Sequence, residues 1–108
     1  MPWIATISPD QIDPEGAGSA MAGQVPVALY VADGAFYATS LMCTHGDVSL
    51  GDGYLEGHTI ECPMHQGRFD IRTGEAVGPP CYEPLRTFPV RLVDGILEVE
   101  IPGDEVNE

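Results

Sequence analysis

Two short stretches of the chain each offer one cysteine and one histidine. They are Cys43-Thr44-His45 and Cys62-Pro63-Met64-His65, with sixteen residues between His45 and Cys62. Thiolates and imidazoles both ligate metals, so the two stretches read together as a candidate metal centre. Zinc and iron are the metals to weigh. Structural zinc sites are tetrahedral and usually draw on Cys pairs about two to four residues apart or His pairs about three to five apart. Here each knuckle is mixed, and the first, Cys-x-His, is tight for that geometry. A [2Fe–2S] cluster suits the set better, with Cys43 and Cys62 on one iron and His45 and His65 on the other. Zinc stands as the alternative.

The pattern resembles the Rieske signature, and the resemblance extends past the four ligands. Gly46 follows the first stretch, while Gln66-Gly67-Arg68-Phe69-Asp70 and Thr73-Gly74 follow the second. Gly78-Pro79-Pro80 resembles the proline loop that shelters the cluster in this family. From Trp3 to Ile101 the chain is similar to Rieske-type ferredoxins, those of bacterial aromatic-ring-hydroxylating dioxygenase systems above all. The resemblance implies an all-β, Rieske-like fold of packed antiparallel sheets with a small inserted cluster-binding lobe at about residues 42–82. It implies one [2Fe–2S] cluster per chain, held by Cys43, His45, Cys62 and His65. It further implies a one-electron carrier placed between a flavin-containing NAD(P)H-dependent reductase and the terminal oxygenase of a multicomponent dioxygenase. A monomer docking transiently near His45 and His65, possessing no reaction of its own, fits that role. The rival readings are the small Rieske subunit of a reductase such as nitrite reductase, and a zinc-binding interaction module.

Mixed ligation has an electrostatic consequence. Four thiolates would leave an oxidised cluster dianionic, whereas two thiolates with two neutral imidazoles leave it uncharged, so an added electron meets less repulsion. Rieske centres accordingly lie at about −150 to +300 mV, above plant-type ferredoxins. The electron is expected on the His-bound iron, with His45 and His65 as its exit. Respiratory members of the family carry an extra Cys in each loop and a Ser that bonds the cluster; Val48, Met64 and Gly67 stand at the corresponding positions here. Fewer donors and a strongly acidic chain place the expected potential at the low end of the range.

Composition sets the frame for these loops. The chain has 108 residues, the size of one domain, and its 13 Gly and 10 Pro favour short strands and many turns over helices. No apolar run approaches the roughly 18 residues of a membrane span, and no secretory signal pattern opens the chain, so a cytoplasmic protein is expected. Seventeen acids face four Arg and no Lys, for a net charge of −13. Such a surface repels nucleic acid and anionic membranes and steers the protein toward basic partners. With two of three Cys assigned to the cluster, Cys81 is expected as a small buried side chain and no intramolecular disulfide remains. His58 is expected as a surface residue. Arg68 is expected to tie the second loop to an acid, and Gly67, Gly74 and Gly78 to occupy turns. Met64 and Gln66, with Gly46, Pro79 and Pro80, are candidates for a docking face, to which Asp47 and Glu83 would add charge.

Strands must carry the two loops. Trp3–Ile7 and Gln24–Ala32 are predicted strands, the second despite Pro26. Asp33-Gly34 is a hairpin signal leading into Ala35–Thr39, and Asp94-Gly95 joins Thr87–Val93 to Ile96–Ile101. Short strands are predicted at Tyr54–Glu56, Thr59–Glu61 and Arg68–Ile71, with a turn at Asp52-Gly53. Ser8 to Gly18 reads as acidic and turn-rich, Gly16 to Gly23 as small and flexible, and Pro102 to Glu108 as a frayed tail.

Overall fold

In the computed structural model, the residues described are 3–12, 16–42, 49–63, 67–78 and 84–101. Two hairpins are set by local turn chemistry. Asp33 and Gly34, with φ of 52° and 76°, join β3 (Val25–Ala32) to β4 (Ala35–Ser40). Asp94 and Gly95, with φ of 52° and 81°, join β10 (Val90–Val93) to β11 (Ile96–Glu100). Left-handed backbone at both central residues matches the twist of the flanking strands, which is why Asp-Gly pairs are favoured there. Both hairpins stand where the sequence predicts them.

The remaining strands are β1 (Trp3–Ala5), β2 (Ala17–Ala22), β5 (Tyr54–Glu56), β6 (Thr59–Glu61), β7 (Arg68–Asp70), β8 (Ala76–Gly78) and β9 (Thr87–Phe88). They form three antiparallel sheets, ordered β1-β11-β10, β2-β3-β4-β9 and β5-β6-β7-β8. The helical elements among the described residues are short 3-10 turns at Pro9–Gln11 and Leu50–Asp52, and no described helix is long and apolar enough to cross a membrane. The all-β expectation holds.

Strand β3 organises the packing because both of its faces are covered. Alternate residues of a strand point to opposite sides. Val25, Val27 and Leu29 enter one apolar cluster with Ile12, Ala38, Phe88, Leu97, Val99 and Ile101, against the three-stranded sheet. Ala28, Tyr30 and Ala32 enter a second cluster with Leu50, Ile60, Cys62, Phe69, Ile71 and Leu85, against the small sheet β5–β8. A strand buried on both faces reads as a nearly continuous apolar run, as Val25–Ala32 does. Pro26 fits because it is exposed, pairs with Met21 and leaves its carbonyl to accept from Leu41 N–H at 3.3 Å.

Several sequence expectations need correction. The stretch Gly16 to Gly23 is more than small, flexible chain: Ala17–Ala22 is strand β2, paired along its whole length with β3. The 3-10 turn at Leu50–Asp52 packs closely on this strand, which requires glycine on the turn. A Cβ on Gly51 would overlap Ser19 Oγ and stand 3.1 Å from the Gly18 carbonyl carbon. Thr87–Val93 is two strands. Pro89 lacks an N–H, and there the chain passes from β9, paired with β4, to β10, paired with β11. Strand β1 ends at Ala5 and β7 at Asp70, each shorter than predicted, and Asp52 belongs to a 3-10 turn. Strand β8 has no counterpart in the sequence reading, and Gly78 lies in it instead of in a turn. The tail from residue 102 lies outside the described residues.

Candidate metal centre

The first loop leaves the end of β4 and returns beside it. Met42 and Ser49 form an antiparallel bridge, and Leu50 N–H donates to the Leu41 carbonyl at 2.7 Å. The chain between them thus starts and finishes at adjacent backbone positions. Ser49 Oγ accepts from Gly51 N–H at 3.2 Å, capping the 3-10 turn Leu50–Asp52, and Gly53 N–H donates to the Leu50 carbonyl at 3.0 Å. Gly51 presses this turn against β2. Gly53 presses it against β6, since a Cβ there would overlap the Glu61 carbonyl oxygen.

The second loop is the tip of the β6–β7 hairpin. Glu61 pairs with Arg68, and Cys62 N–H extends the ladder by donating to the Gly67 carbonyl at 2.7 Å. Residues 63 to 66 are therefore spanned by a closed base. The Cys62 side chain is 1% exposed and lies in the apolar cluster with Leu50, Ile60, Phe69 and Leu85.

A third segment completes the arrangement. Gly78 of β8 pairs with Arg68, next to Gly67, and from there the chain runs on through the Pro79-Pro80 pair. It returns at Leu85, whose N–H donates to the Gly74 carbonyl at 2.7 Å, and at Arg86, whose carbonyl accepts from Ser40 N–H at 2.9 Å. Gly74 has φ of 82°, and a Cβ on it would overlap the Leu85 carbonyl, so glycine is needed at this crossing. The bases of all three segments are thus joined: the third leaves beside the second and returns beside the first. Leu41, Leu50, Cys62 and Leu85, one or more from each base, share a single apolar cluster.

Of the four predicted ligands, Cys62 is described. Cys43, His45 and His65 lie outside the described residues, as do Gly46, Asp47, Val48, Met64, Gln66, Pro79, Pro80, Cys81 and Glu83. Three tests of fit to a [2Fe–2S] group are met by what is described. Cys62 is held on a rigid hairpin base. It is enclosed by apolar side chains, where a thiolate needs a compensating positive charge such as iron. The stretch carrying Cys43 and His45 begins from the same cluster. The set expected from the sequence, two Cys and two His, would suit such a group.

His58 sits in the β5–β6 turn, its ring edge-on to Tyr37 at 5.7 Å between centroids and its Nε2 3.4 Å from an Asp33 carboxylate oxygen. Half-buried where a surface residue is expected, it ties the small sheet to the β3–β4 hairpin. Arg68 departs from expectation. It is exposed and makes no ion pair with the described residues, because its side chain lies along an open groove. The groove is about 420 Å³ and lined by Tyr54, Leu55, Glu56, Thr59, Glu61 and Arg68. Sequence reasoning also missed the buried pair Tyr30 and Thr39, whose oxygens are 2.9 Å apart at the end of β4 that feeds the first loop. Burial pushes the Tyr30 hydroxyl well above the usual tyrosine range. Two polar residues nine positions apart on predicted strands carry no local signal that they meet.

Comparison with known proteins agrees with this geometry. A family model described as the Rieske [2Fe-2S] domain matches residues 2–89. The ferredoxin component of the naphthalene 1,2-dioxygenase system of Pseudomonas putida is 43% identical over 91 residues, covering 83% of this chain and 86% of the relative. The Sphingomonas yanoikuyae B1 ferredoxin superposes with a TM-score of 0.86 at 34% identity, covering 94% of this chain and all of that one. A chain from the complex of reduced oxygenase and oxidized ferredoxin in carbazole 1,9a-dioxygenase superposes with a TM-score of 0.79 at 37% identity, covering 90% and 91% of the two chains. With its three sheets, its conjoined loop bases and its match along most of its length, the chain belongs to the Rieske [2Fe-2S] domain family.

Proposed function

We propose that the protein is the ferredoxin of an aromatic-ring dioxygenase system, a cytoplasmic one-electron carrier working between a flavin-containing NAD(P)H-dependent reductase and a terminal oxygenase. The observation that carries this reading is the joining of the two loop bases in one apolar cluster, with Cys62 buried at the foot of the second. The likeness to the ferredoxin component of the naphthalene 1,2-dioxygenase system and to a chain of the oxygenase–ferredoxin complex of carbazole 1,9a-dioxygenase supports the same role.

In this reading the chain is one domain whose lobe at about residues 42–82 carries the centre, and one [2Fe–2S] cluster is held per chain. Cys43 and Cys62 hold one iron, while His45 and His65 hold the other. When bound, that group supplies a site that accepts and returns one electron. The residues of the chain do the rest. The Met42–Ser49 bridge and the Cys62–Gly67 bond fix the loop bases, so little rearrangement accompanies a change of charge. Leu50, Ile60 and Phe69 keep water from the Cys62 side. His45 and His65, as neutral imidazoles, keep the charge of the site low and form the contact through which the electron leaves. The monomer docks briefly over these imidazoles, as weak redox encounters do.

The test is a low-temperature EPR spectrum of the dithionite-reduced protein, with iron and sulfide measured on the same sample. A rhombic signal of the mixed-ligand type, with equal iron and sulfide, is expected. A colourless protein holding zinc, from which no cluster can be rebuilt anaerobically, overturns the reading.

A further inference from the structure

The four arginines of this acidic chain are not equivalent. Arg72 is bound to Asp70 at 2.9 Å, and Arg91 to Glu98 at 2.8 Å, with Arg91 also stacked 4.2 Å from the Trp3 ring. Arg86 lies over Phe88 at 5.8 Å. Arg68, by contrast, is exposed with no hydrogen bond or ion pair to the described residues, although Glu61 stands directly across the ladder from it. It occupies the outer face of the small sheet, one residue beyond the Gly67 carbonyl that closes the second loop. Along that face Tyr54, Glu61 and Arg68 stand in one cross-strand row, with Glu56 and Thr59 paired beside it. Tyr54 is 58% exposed.

We propose that this face, centred on Arg68 with Tyr54 and flanked by Glu56 and Glu61, is a docking surface for a basic protein surface that presents one carboxylate to Arg68. The proposal rests on the electron-carrier reading above and names the chemistry of the oxygenase face it meets. Charge complementarity argues for the occupant. A chain of net charge −13 draws basic surfaces at long range, and the two glutamates continue that attraction at the groove. A uniformly basic partner, however, would meet Arg68 as a like charge. A single acid on the partner converts that repulsion into a bidentate pair and fixes the orientation in which the second loop is approached. Among the described residues Arg68 has no ion pair to surrender. Tyr and Arg are also the side chains most enriched at interface centres.

The experiment compares two charge reversals of equal size, Arg68→Glu on this face and Arg91→Glu on the distant three-stranded sheet. Each cluster-loaded variant and the unaltered protein are mixed, after reduction, with a purified terminal aromatic-ring oxygenase that oxidises the unaltered protein. The second-order rate constant is read by stopped flow across a salt series. Long-range steering alone predicts that both reversals, by making the protein more acidic, speed the reaction alike. The proposal expects Arg68→Glu to slow it about three- to tenfold at low salt, a rim-charge effect on encounter, while Arg91→Glu does not. Arg68→Lys, keeping charge but losing the planar fork, should fall between Arg68→Glu and the unaltered protein. Equal behaviour of the two reversals, at matched cluster content and midpoint potential, overturns the docking surface and leaves the carrier role standing. Failure of every such oxygenase to oxidise the unaltered protein overturns the carrier role, and the docking surface with it.

Discussion

The Cys62 N–H donates to the Gly67 carbonyl at 2.7 Å, so the second candidate metal-binding stretch is a hairpin tip whose base is already hydrogen-bonded. The Cys62 side chain, 1% exposed, therefore starts from a fixed backbone position within an apolar cluster. Order at this point is built into the sheet.

Replacing Cys62 by Ala should remove the cluster while leaving the strands. The purified Cys62→Ala protein is expected to lack iron, sulfide and visible absorption, yet to keep the far-ultraviolet circular dichroism of a β protein. In the proposed reading Cys62 contributes one ligand, whereas β3 and its two apolar faces hold the sheets together. Retention of full iron and sulfide would remove Cys62 from the ligand set.

Gly51 is the contact between the first loop base and β2. A Cβ there would overlap Ser19 Oγ, so Gly51→Ala should cost about 1–3 kcal/mol, the usual penalty for overfilling a packed site. Removing the obstructing oxygen should recover part of this. Urea denaturation of Gly51→Ala alone and with Ser19→Ala should show a smaller loss in the pair than the two single losses summed. Strict additivity would mean that the overlap is relieved elsewhere.

Tyr30 and Thr39 make an asymmetric pair. Thr39 Oγ1 also donates to the Ser40 carbonyl at 2.9 Å, which leaves Tyr30 as the donor to Thr39. Tyr30→Phe should cost about 1 kcal/mol, while Thr39→Val, which strands a buried hydroxyl, should cost about 1–3 kcal/mol. Burial raises the Tyr30 pKa in the folded state. Above the ordinary tyrosine value of about 10 the unfolded chain therefore loses this proton first, and stability falls as pH rises. The urea midpoint should drop more steeply above about pH 10 in the unaltered protein than in Tyr30→Phe, since only the former has this proton to lose. Parallel slopes would mean that Tyr30 ionises as freely folded as unfolded.

The sequence by itself determined whatever depends on near neighbours. The two Asp-Gly hairpins follow from residues that accept left-handed backbone, and the short strands Tyr54–Glu56 and Thr59–Glu61 stand where they are predicted. The candidate ligands Cys43, His45, Cys62 and His65 are legible for the same reason, because their types and spacing already state a chemistry. The tertiary structure decided what depends on distant partners. Ala17–Ala22 became a strand because β3 lies beside it, although small residues have weak strand preference of their own. The chain divides at Pro89 because its two halves pair in two different sheets, and proline, having no N–H, leaves no ladder donor unpaired there. Among the described residues Arg68 has no ion-pair partner, although an acid faces it across the ladder. Register sets which residues stand opposite, but the direction of a long exposed side chain is decided by the open space around it, which no stretch of sequence contains.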